Sequence, residues 1–114
     1  MSEMKLTEQK CRPCEGLADK LSPELIQTYL GQIEGWRLAP GAKIVKEYVL
    51  ADFAAALKFV NAIGATAEAE GHHPDLSISY DKVAVSLWTH ALNGLSVNDF
   101  ILAAKIDKLF QPSL

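Results

Sequence analysis

The chain has 114 residues, a length typical of one domain. Its composition, with 49% hydrophobic and 22% charged residues, is that of an ordinary globular protein. A net charge of -3 argues against a nucleic-acid-binding surface, which usually needs a basic stripe. No apolar run approaches the roughly 20 residues that cross a bilayer, and the polar N-terminus lacks the apolar core of a secretory signal. The sequence therefore predicts a cytosolic protein without a membrane or nucleic-acid partner.

Residues 1–17 are polar and lack apolar periodicity, which predicts a flexible N-terminal arm followed by a folded domain over 18–114. The arm contains Cys11 and Cys14 in a Cys-x-x-Cys spacing. One such pair supplies only half of the four ligands that zinc usually takes, and no strand pattern precedes it, as a thioredoxin-like motif would require. We therefore expect neither a zinc site nor a redox centre here, and we expect the fold to survive removal of the arm.

Capping residues and apolar spacing predict the first helix and two strands. Ser22 can cap a helix whose first position is Pro23, and Gly35 marks its end. Apolar residues recur at helical spacing in between: Leu25, Ile26, Tyr29, Leu30 and Ile33. Two strands are predicted next, over 36–38 and 43–50, and they are close enough in sequence to form a hairpin.

A second helix, two more strands and a last helix are predicted in the same way. Asp52 can cap a helix that ends near Gly71. Its apolar stripe is Phe53, Ala56, Leu57, Val60, Ile63, Gly64 and Ala67. Alternating strands follow over 75–80 and 83–87. Ser96 and Asp99 form a box-like cap before the apolar positions Phe100, Ile101, Ala104, Ile106, Leu109 and Phe110.

The order α-β-β-α-β-β-α predicts an α+β fold, with three helices packed on one face of a four-stranded antiparallel sheet. The other face would carry Ser77, Ser79, Ala84, Ser86 and Trp88, and so would be half polar and partly open. Such a sheet leaves unpaired edges, which proteins usually cover. We therefore expect a homo-oligomer whose smallest unit is a dimer.

The three histidines are the candidate functional residues. His72 and His73 precede the third strand and His90 follows the fourth, so an antiparallel hairpin would place them near one another. Histidine both gives and takes protons near neutral pH, which suits a site for proton transfer. Glu68 lies one helical turn before His72, and Asp99 lies in the first turn of the last helix; either could orient an imidazole or join the proton transfers.

Other interpretations of these residues exist. Glu68, His72 and His90 could ligate a metal, but the glycine and proline around His72 break the helix that such spacing needs. On its local pattern alone, Asp99 is better explained as a helix cap. Trp88 shares strand parity with His90, and it could wall a flat ring or pack at an interface.

The pattern resembles the signature of the pterin-4a-carbinolamine dehydratases. The matching positions are Glu68, His72-His73-Pro74, Tyr80, His90 and Asp99, within a resemblance that covers roughly 20–110. It implies the α+β fold and a hydro-lyase activity: a 4a-hydroxytetrahydropterin, released by an aromatic amino acid hydroxylase, loses water to give quinonoid dihydropterin. It also implies that no metal or organic cofactor is used, and that dimers can pair into tetramers.

The resemblance also implies residue roles. His72 and His90 would be the general acid and base, His73 would bind and position the pterin, and Glu68 would assist; Asp99 is a signature position. The family includes members with a second role, as dimerisation cofactors for a transcription factor. The alternatives to an enzyme here are a non-catalytic cofactor of that kind and a dehydratase-like protein of molybdopterin metabolism. The complete histidine set favours the enzyme, because a binding module has no need of three proton-transfer residues.

Overall fold

The computed structural model describes residues 5–12 and 20–110. Its main elements are α1 (Pro23–Leu30), β1 (Arg37–Ala39), β2 (Lys43–Val49), α2 (Phe53–Glu70), β3 (Asp75–Ser79), β4 (Lys82–Leu87) and α3 (Val97–Leu109). Short 3-10 turns cover Leu6–Glu8 and His90–Leu92. The predicted α+β class and element order are confirmed. Among the described residues, no helix is both long and apolar enough to cross a membrane.

The predicted helix caps form as expected. Ser22 and Asp52 each accept a hydrogen bond from the backbone N–H three residues further on, at the starts of α1 and α2. Ser96 and Asp99 form the reciprocal capping box of α3. Each cap satisfies backbone groups that the first helical turn leaves unpaired, so these short side chains fix where the helices begin.

The four strands form one antiparallel sheet in the order β1-β2-β4-β3. The two expected hairpins are present, and β2 pairs with β4 in the middle, from Ile44 opposite Leu87 to Val49 opposite Lys82. One face is buried under the helices through Ile44, Tyr48, Val83, Val85 and Leu87. The alternation of apolar and polar residues therefore sets which face of the sheet meets the helices.

Helix α3 lies at the centre of the core. Its buried residues run almost without interruption through its first half, from Asn98 to Ala104. On one side Phe100 stacks on Tyr29 of α1, with 5.3 Å between ring centroids, and α2 packs on another. Because α3 is enclosed on several sides, polar groups in its first turn have to find partners inside the protein.

The predicted stripe of α2 is partly wrong. Phe53 and Leu57 are 47% and 40% exposed, whereas Phe59, which the predicted stripe omits, is buried. The buried face is Ala56, Phe59, Ile63 and Ala67, and Phe59 packs edge-on against Tyr48 of β2. The helix contains enough apolar residues for two neighbouring stripes, and contact with the sheet decides which one is buried.

Two element boundaries also differ from prediction. Helix α1 ends at Leu30, well before Gly35, and Ile33 is buried in the irregular segment that follows. Tyr80 lies in the two-residue β3–β4 turn, with a left-handed φ of +56°, and not on the strand. It is 68% exposed, so it does not join the apolar face that the alternation predicts.

The described part of the N-terminal segment packs on α3. Leu6 and Cys11 are buried in the core, which differs from the expected loose arm over these residues. Two apolar side chains in a polar stretch create no periodicity, so this packing could not be predicted from the apolar pattern. Cys14, with the rest of 13–19, lies outside the described residues.

A polar cluster around Asp107 joins β2 to the last turns of α3. Asp107 accepts hydrogen bonds from Trp36 Nε1, at 3.1 and 3.2 Å, from Lys46 Nζ at 2.8 Å, and from the Tyr48 hydroxyl. Burial and the Asp107 carboxylate raise the pKa of Tyr48 above its ordinary range, so the hydroxyl remains a donor at any physiological pH. One carboxylate thus joins three residues of the β1–β2 region to α3.

We expect Asp107→Ala to lower the free energy of unfolding by about 2–3 kcal/mol, because it leaves the buried Tyr48 hydroxyl and Trp36 N–H without their acceptor. Urea denaturation measures the change. The matched control is Lys108→Ala, an exposed neighbour on α3, which should change stability by at most about 0.5 kcal/mol. Equal stabilities of the two variants would show that the cluster does not hold the helix.

Candidate active site

The end of α2 places His72. The chain leaves the helix through Gly71, whose left-handed φ of +69° suits a residue without a side chain. The backbone N–H of His72 donates to Ala67 O at 3.2 Å, which closes the helix end. Pro74 then disfavours helical angles at His73 and directs the chain into β3. This exit points the His72 ring at the start of α3.

Asp99 is the residue that His72 meets there. Its carboxylate is fully buried, and it accepts a 2.6 Å hydrogen bond from His72 Nε2 through Oδ1. The other oxygen, Oδ2, accepts from the Thr89 hydroxyl at 2.8 Å and from Ser96 N at 3.0 Å. Asp99 is therefore a helix cap and an imidazole partner at once, which joins the two roles that the sequence left open.

Thr89 extends the arrangement to the third histidine. Thr89 lies between Trp88 and His90 in the sequence, and its side chain is buried. Its hydroxyl contacts Ser96 Oγ at 2.8 Å as well as Asp99. Thr89 is not among the predicted site residues, and its position next to His90 is the one sequence signal that points to it. Through Asp99 and Thr89, the end of β4 is tied to the segment that carries His72.

Trp88 and His90 form an aromatic pair at this end of the sheet. Their ring centroids lie 4.1 Å apart at an angle of 43°, and Lys43 Nζ lies 5.2 Å from the Trp88 ring centroid. His90 is exposed, whereas Trp88 is partly buried. Trp88 Nε1 is buried and has no hydrogen-bond partner within the described residues. An indole face and an accessible imidazole thus lie together beside the Asp99 cluster.

His73 has a different carboxylate partner. Its Nε2 lies 2.6 Å from Glu68 Oε2, and the two side chains are 62% and 77% exposed. The imidazole that Glu68 contacts is therefore that of His73, because the turn at Gly71 brings His73 back over the last turns of α2. Among the described residues, no cluster of three histidine, cysteine or acidic side chains could hold a metal ion.

A shallow depression of about 250 Å³ lies elsewhere, on the open face of the sheet. Its lining includes Arg37, Glu47, Asp75, Ser77 and Ser86. None of the three histidines borders it. The depression is therefore separate from the side chains of His72, His73 and His90.

The fold and the cluster together define an α+β domain with a histidine–carboxylate site suited to acid–base chemistry. The family model for pterin 4 alpha carbinolamine dehydratase matches residues 19–109. A Nitrosospira multiformis protein, provisionally named pterin-4-alpha-carbinolamine dehydratase, is 44% identical over 106 residues, or 93% of each chain. One from Chlorobaculum tepidum with the same provisional name is 43% identical over 107 residues, covering 91% of this chain and 96% of that one. The chain belongs to the pterin-4a-carbinolamine dehydratase family.

Solved structures agree with this assignment. A Brucella melitensis protein, described as a transcriptional coactivator/pterin dehydratase, aligns with a TM-score of 0.76 and 28% identity, covering 79% of this chain and 97% of that one. A pterin dehydratase-like RuBisCO assembly factor aligns with a TM-score of 0.58 and 23% identity, covering 67% and 89%. At that identity, the second likeness supports the fold alone.

The two histidine–carboxylate pairs should differ sharply in their effect on stability. We expect Asp99→Ala to cost about 2–4 kcal/mol, because it leaves the buried Thr89 hydroxyl and Ser96 N–H unpaired. Glu68→Ala removes the carboxylate of an exposed pair and should stay within about 0.5 kcal/mol of the parent. Chemical denaturation of both variants tests the contrast. Similar losses would mean that the Asp99 cluster is not the stabilising centre described here.

Proposed function

We propose that this protein is a hydro-lyase that dehydrates 4a-hydroxytetrahydropterin to quinonoid dihydropterin, in the recycling of the tetrahydropterin used by an aromatic amino acid hydroxylase. The observation that carries the proposal is the hydrogen bond between His72 and the buried Asp99, in a family of pterin carbinolamine dehydratases. We assign the activity to residues 18–114, without a metal or organic cofactor, and place the protein in the cytosol.

The reaction needs two proton movements. The C4a–O bond breaks as the hydroxyl receives a proton and leaves as water, while the pterin ring gives up a proton and gains a double bond. One histidine can donate and a second can accept, and Asp99 and Thr89 join the two segments that carry His72 and His90. We assign these steps to His72 and His90.

The Asp99 contact favours the base role for His72. Because the buried carboxylate accepts the Nε2–H, the other nitrogen, Nδ1, is left to take a proton in the neutral ring. The same carboxylate then stabilises the imidazolium that forms. His90, which is exposed next to Trp88, would supply the proton to the departing hydroxyl.

The remaining site residues fit roles in binding. A pterin is a flat heteroaromatic ring, and the face of Trp88 beside His90 suits stacking against it. His73 and Glu68 form an exposed pair that a substrate can reach without disturbing the core. We assign binding and positioning to His73 and Trp88, with Glu68 holding the imidazole of His73.

An activity assay tests the proposal. The carbinolamine is generated by an aromatic amino acid hydroxylase, and its dehydration is followed spectroscopically with and without this protein. We expect acceleration by the parent protein and a loss of about a hundredfold or more in kcat for His72→Ala and for His90→Ala. His73→Ala should raise KM and leave kcat within about threefold.

Two controls sharpen this assay. A chelator should leave the rate unchanged, and activity that disappears with chelator and returns with zinc would contradict the metal-free mechanism. Circular dichroism should confirm that each variant is folded. Turnover that survives in both folded variants, His72→Ala and His90→Ala, would contradict the acid–base assignment.

A non-catalytic role as a dimerisation or transcription cofactor is the second candidate. The description of the Brucella melitensis structure as a transcriptional coactivator/pterin dehydratase favours it. A role of this kind depends on surface contacts and does not use proton transfer. It would survive substitution of His72 and His90, whereas the dehydratase activity would not.

We also propose that the protein is a homo-oligomer built from dimers. The outer strands β1 and β3 each leave backbone groups unpaired, and β3 carries the exposed Ile78 at the sheet edge. Pairing two such edges across a two-fold axis would satisfy those groups and extend the sheet.

Sedimentation at micromolar concentration measures the assembly. We expect a mass of at least twice the 12.4 kDa of one chain, because edge pairing buries apolar side chains as well as backbone groups. Ile78→Lys should weaken a β3-mediated dimer, and Phe53→Ser, which changes an exposed apolar residue of α2 and not of a sheet edge, serves as the comparison. A parent protein that sediments as a single 12.4 kDa species would refute the assembly.

A further inference from the structure

The N-terminal segment makes specific contacts at the end of α2. We call residues 6–12 the N-terminal strap. Lys10 Nζ donates to Ala69 O at 3.4 Å, and the backbone N–H of Cys11 donates to Glu70 Oε1 at 2.8 Å. These two acceptors belong to the last turn of α2, immediately before the turn that leads to His72. The strap therefore holds the helix end from which the site begins.

The strap also holds the first turn of α3. Asn98 is buried and forms two hydrogen bonds with one residue of the strap: Oδ1 accepts from Arg12 N at 3.0 Å, and Nδ2 donates to Arg12 O. The Cys11 thiol contacts Asn98 O at 3.6 Å. A side-chain amide paired with both backbone groups of a residue fixes position and direction together. Asn98 directly precedes Asp99.

Charge interactions strengthen the contact between the strap and Glu70 of α2. Burial alone would raise the pKa of Glu70, but the Cys11 N–H and the nearby Lys105 together hold that pKa below its ordinary value. Lys105 Nζ of α3 lies 3.3 Å from Glu70 Oε2. Burial, followed by the Glu70 charge, raises the pKa of the Cys11 thiol to about 12. The thiol therefore stays neutral at physiological pH and serves in packing.

The two anchoring points flank the hydrogen bond between His72 and Asp99. One anchor is Glu70, two positions before His72, and the other is Asn98, one position before Asp99. The strap joins them on one side, and the 2.6 Å His72–Asp99 contact joins the same two helix ends on the other. A change in the spacing of these helix ends would change the geometry of the histidine.

We propose that the N-terminal strap, acting through Asn98 and Glu70, fixes His72 against Asp99 and thereby sets the rate of the proposed reaction. Asn98 and Glu70 are positioning residues, and neither touches the substrate. The strap itself precedes residues 19–109, which the family model matches, whereas its anchors Glu70 and Asn98 lie within them. Its kinetic consequence rests on the proposed function; its effect on the His72 hydrogen bond does not.

Point variants of the full chain test the proposal. Asn98→Ala and Glu70→Ala release the strap at α3 and at α2, respectively. We expect each to lower kcat about tenfold with KM within about twofold, because misplacing a catalytic group reduces the rate more than it reduces binding. The double variant should lose little more than either single variant, since both remove the same restraint.

A second measurement reports on the hydrogen bond itself. Proton NMR of the His72 Nε2–H gives its rate of exchange with water, and we expect that rate to rise at least about tenfold in both variants as the contact to Asp99 loosens. Glu70→Ala leaves the core of α3 intact, so it decides the question alone if the Asn98 variant does not fold. This readout needs no substrate.

The matched control is Trp36→Phe, which removes the indole N–H donor to Asp107 at the other end of α3. It should lower the melting temperature but leave kcat and the His72 proton exchange unchanged. Unchanged exchange and kcat in the folded strap variants would overturn the proposal, as would equal losses in Trp36→Phe. A parent protein without dehydratase activity would refute the proposed function, and the exchange rates would still decide whether the strap positions His72.

Discussion

The carboxylate of Asp99 is buried and needs hydrogen-bond donors, and the way the surrounding elements pack depends on supplying them. A carboxylate without exposure is tolerated only when its oxygens are hydrogen-bonded. Asp99 satisfies that requirement with His72, Thr89 and Ser96, which come from the end of α2, the end of β4 and the start of α3. Because all three groups must converge on one side chain, the cluster fixes how these elements meet.

The same constraint separates the two adjacent histidines. His72 is held by a buried partner and has little freedom to reorient, whereas His73 and Glu68 form an exposed pair that water can replace. A general base held in one orientation transfers a proton more efficiently than one that must first be oriented. The structure thus offers a physical basis for giving neighbouring residues of the same type different roles in the proposed reaction.

Local features of the fold could be predicted from the sequence. The caps at Ser22, Asp52 and Ser96, and the alternation in β4, are set by residues within a few positions of each other. The partners of the site residues could not be predicted, because His72 and Asp99 are 27 positions apart and Arg12 and Asn98 are 86 apart. Residue spacing predicted the histidines and Asp99 as candidate site residues. Only the tertiary structure shows that Asp99 pairs with His72 and that Glu68 pairs with His73.

The packing of the N-terminal strap could not be predicted for the same reason, because its partners are distant in sequence. A polar stretch with two isolated apolar residues, Leu6 and Cys11, carries no periodic signal, yet both are buried against α3. Phe59 of α2 likewise became a core residue through its contact with Tyr48. In each case the surface to be covered lies far away in sequence, and composition alone predicts exposure.

The most direct test of the account is the rate of carbinolamine dehydration by Asp99→Asn compared with the parent protein. The amide keeps the size of the side chain but removes the charge that stabilises a protonated His72. We predict that the parent accelerates dehydration and that the folded variant loses about a hundredfold in kcat. A variant as fast as the parent would contradict the role of the His72–Asp99 pair.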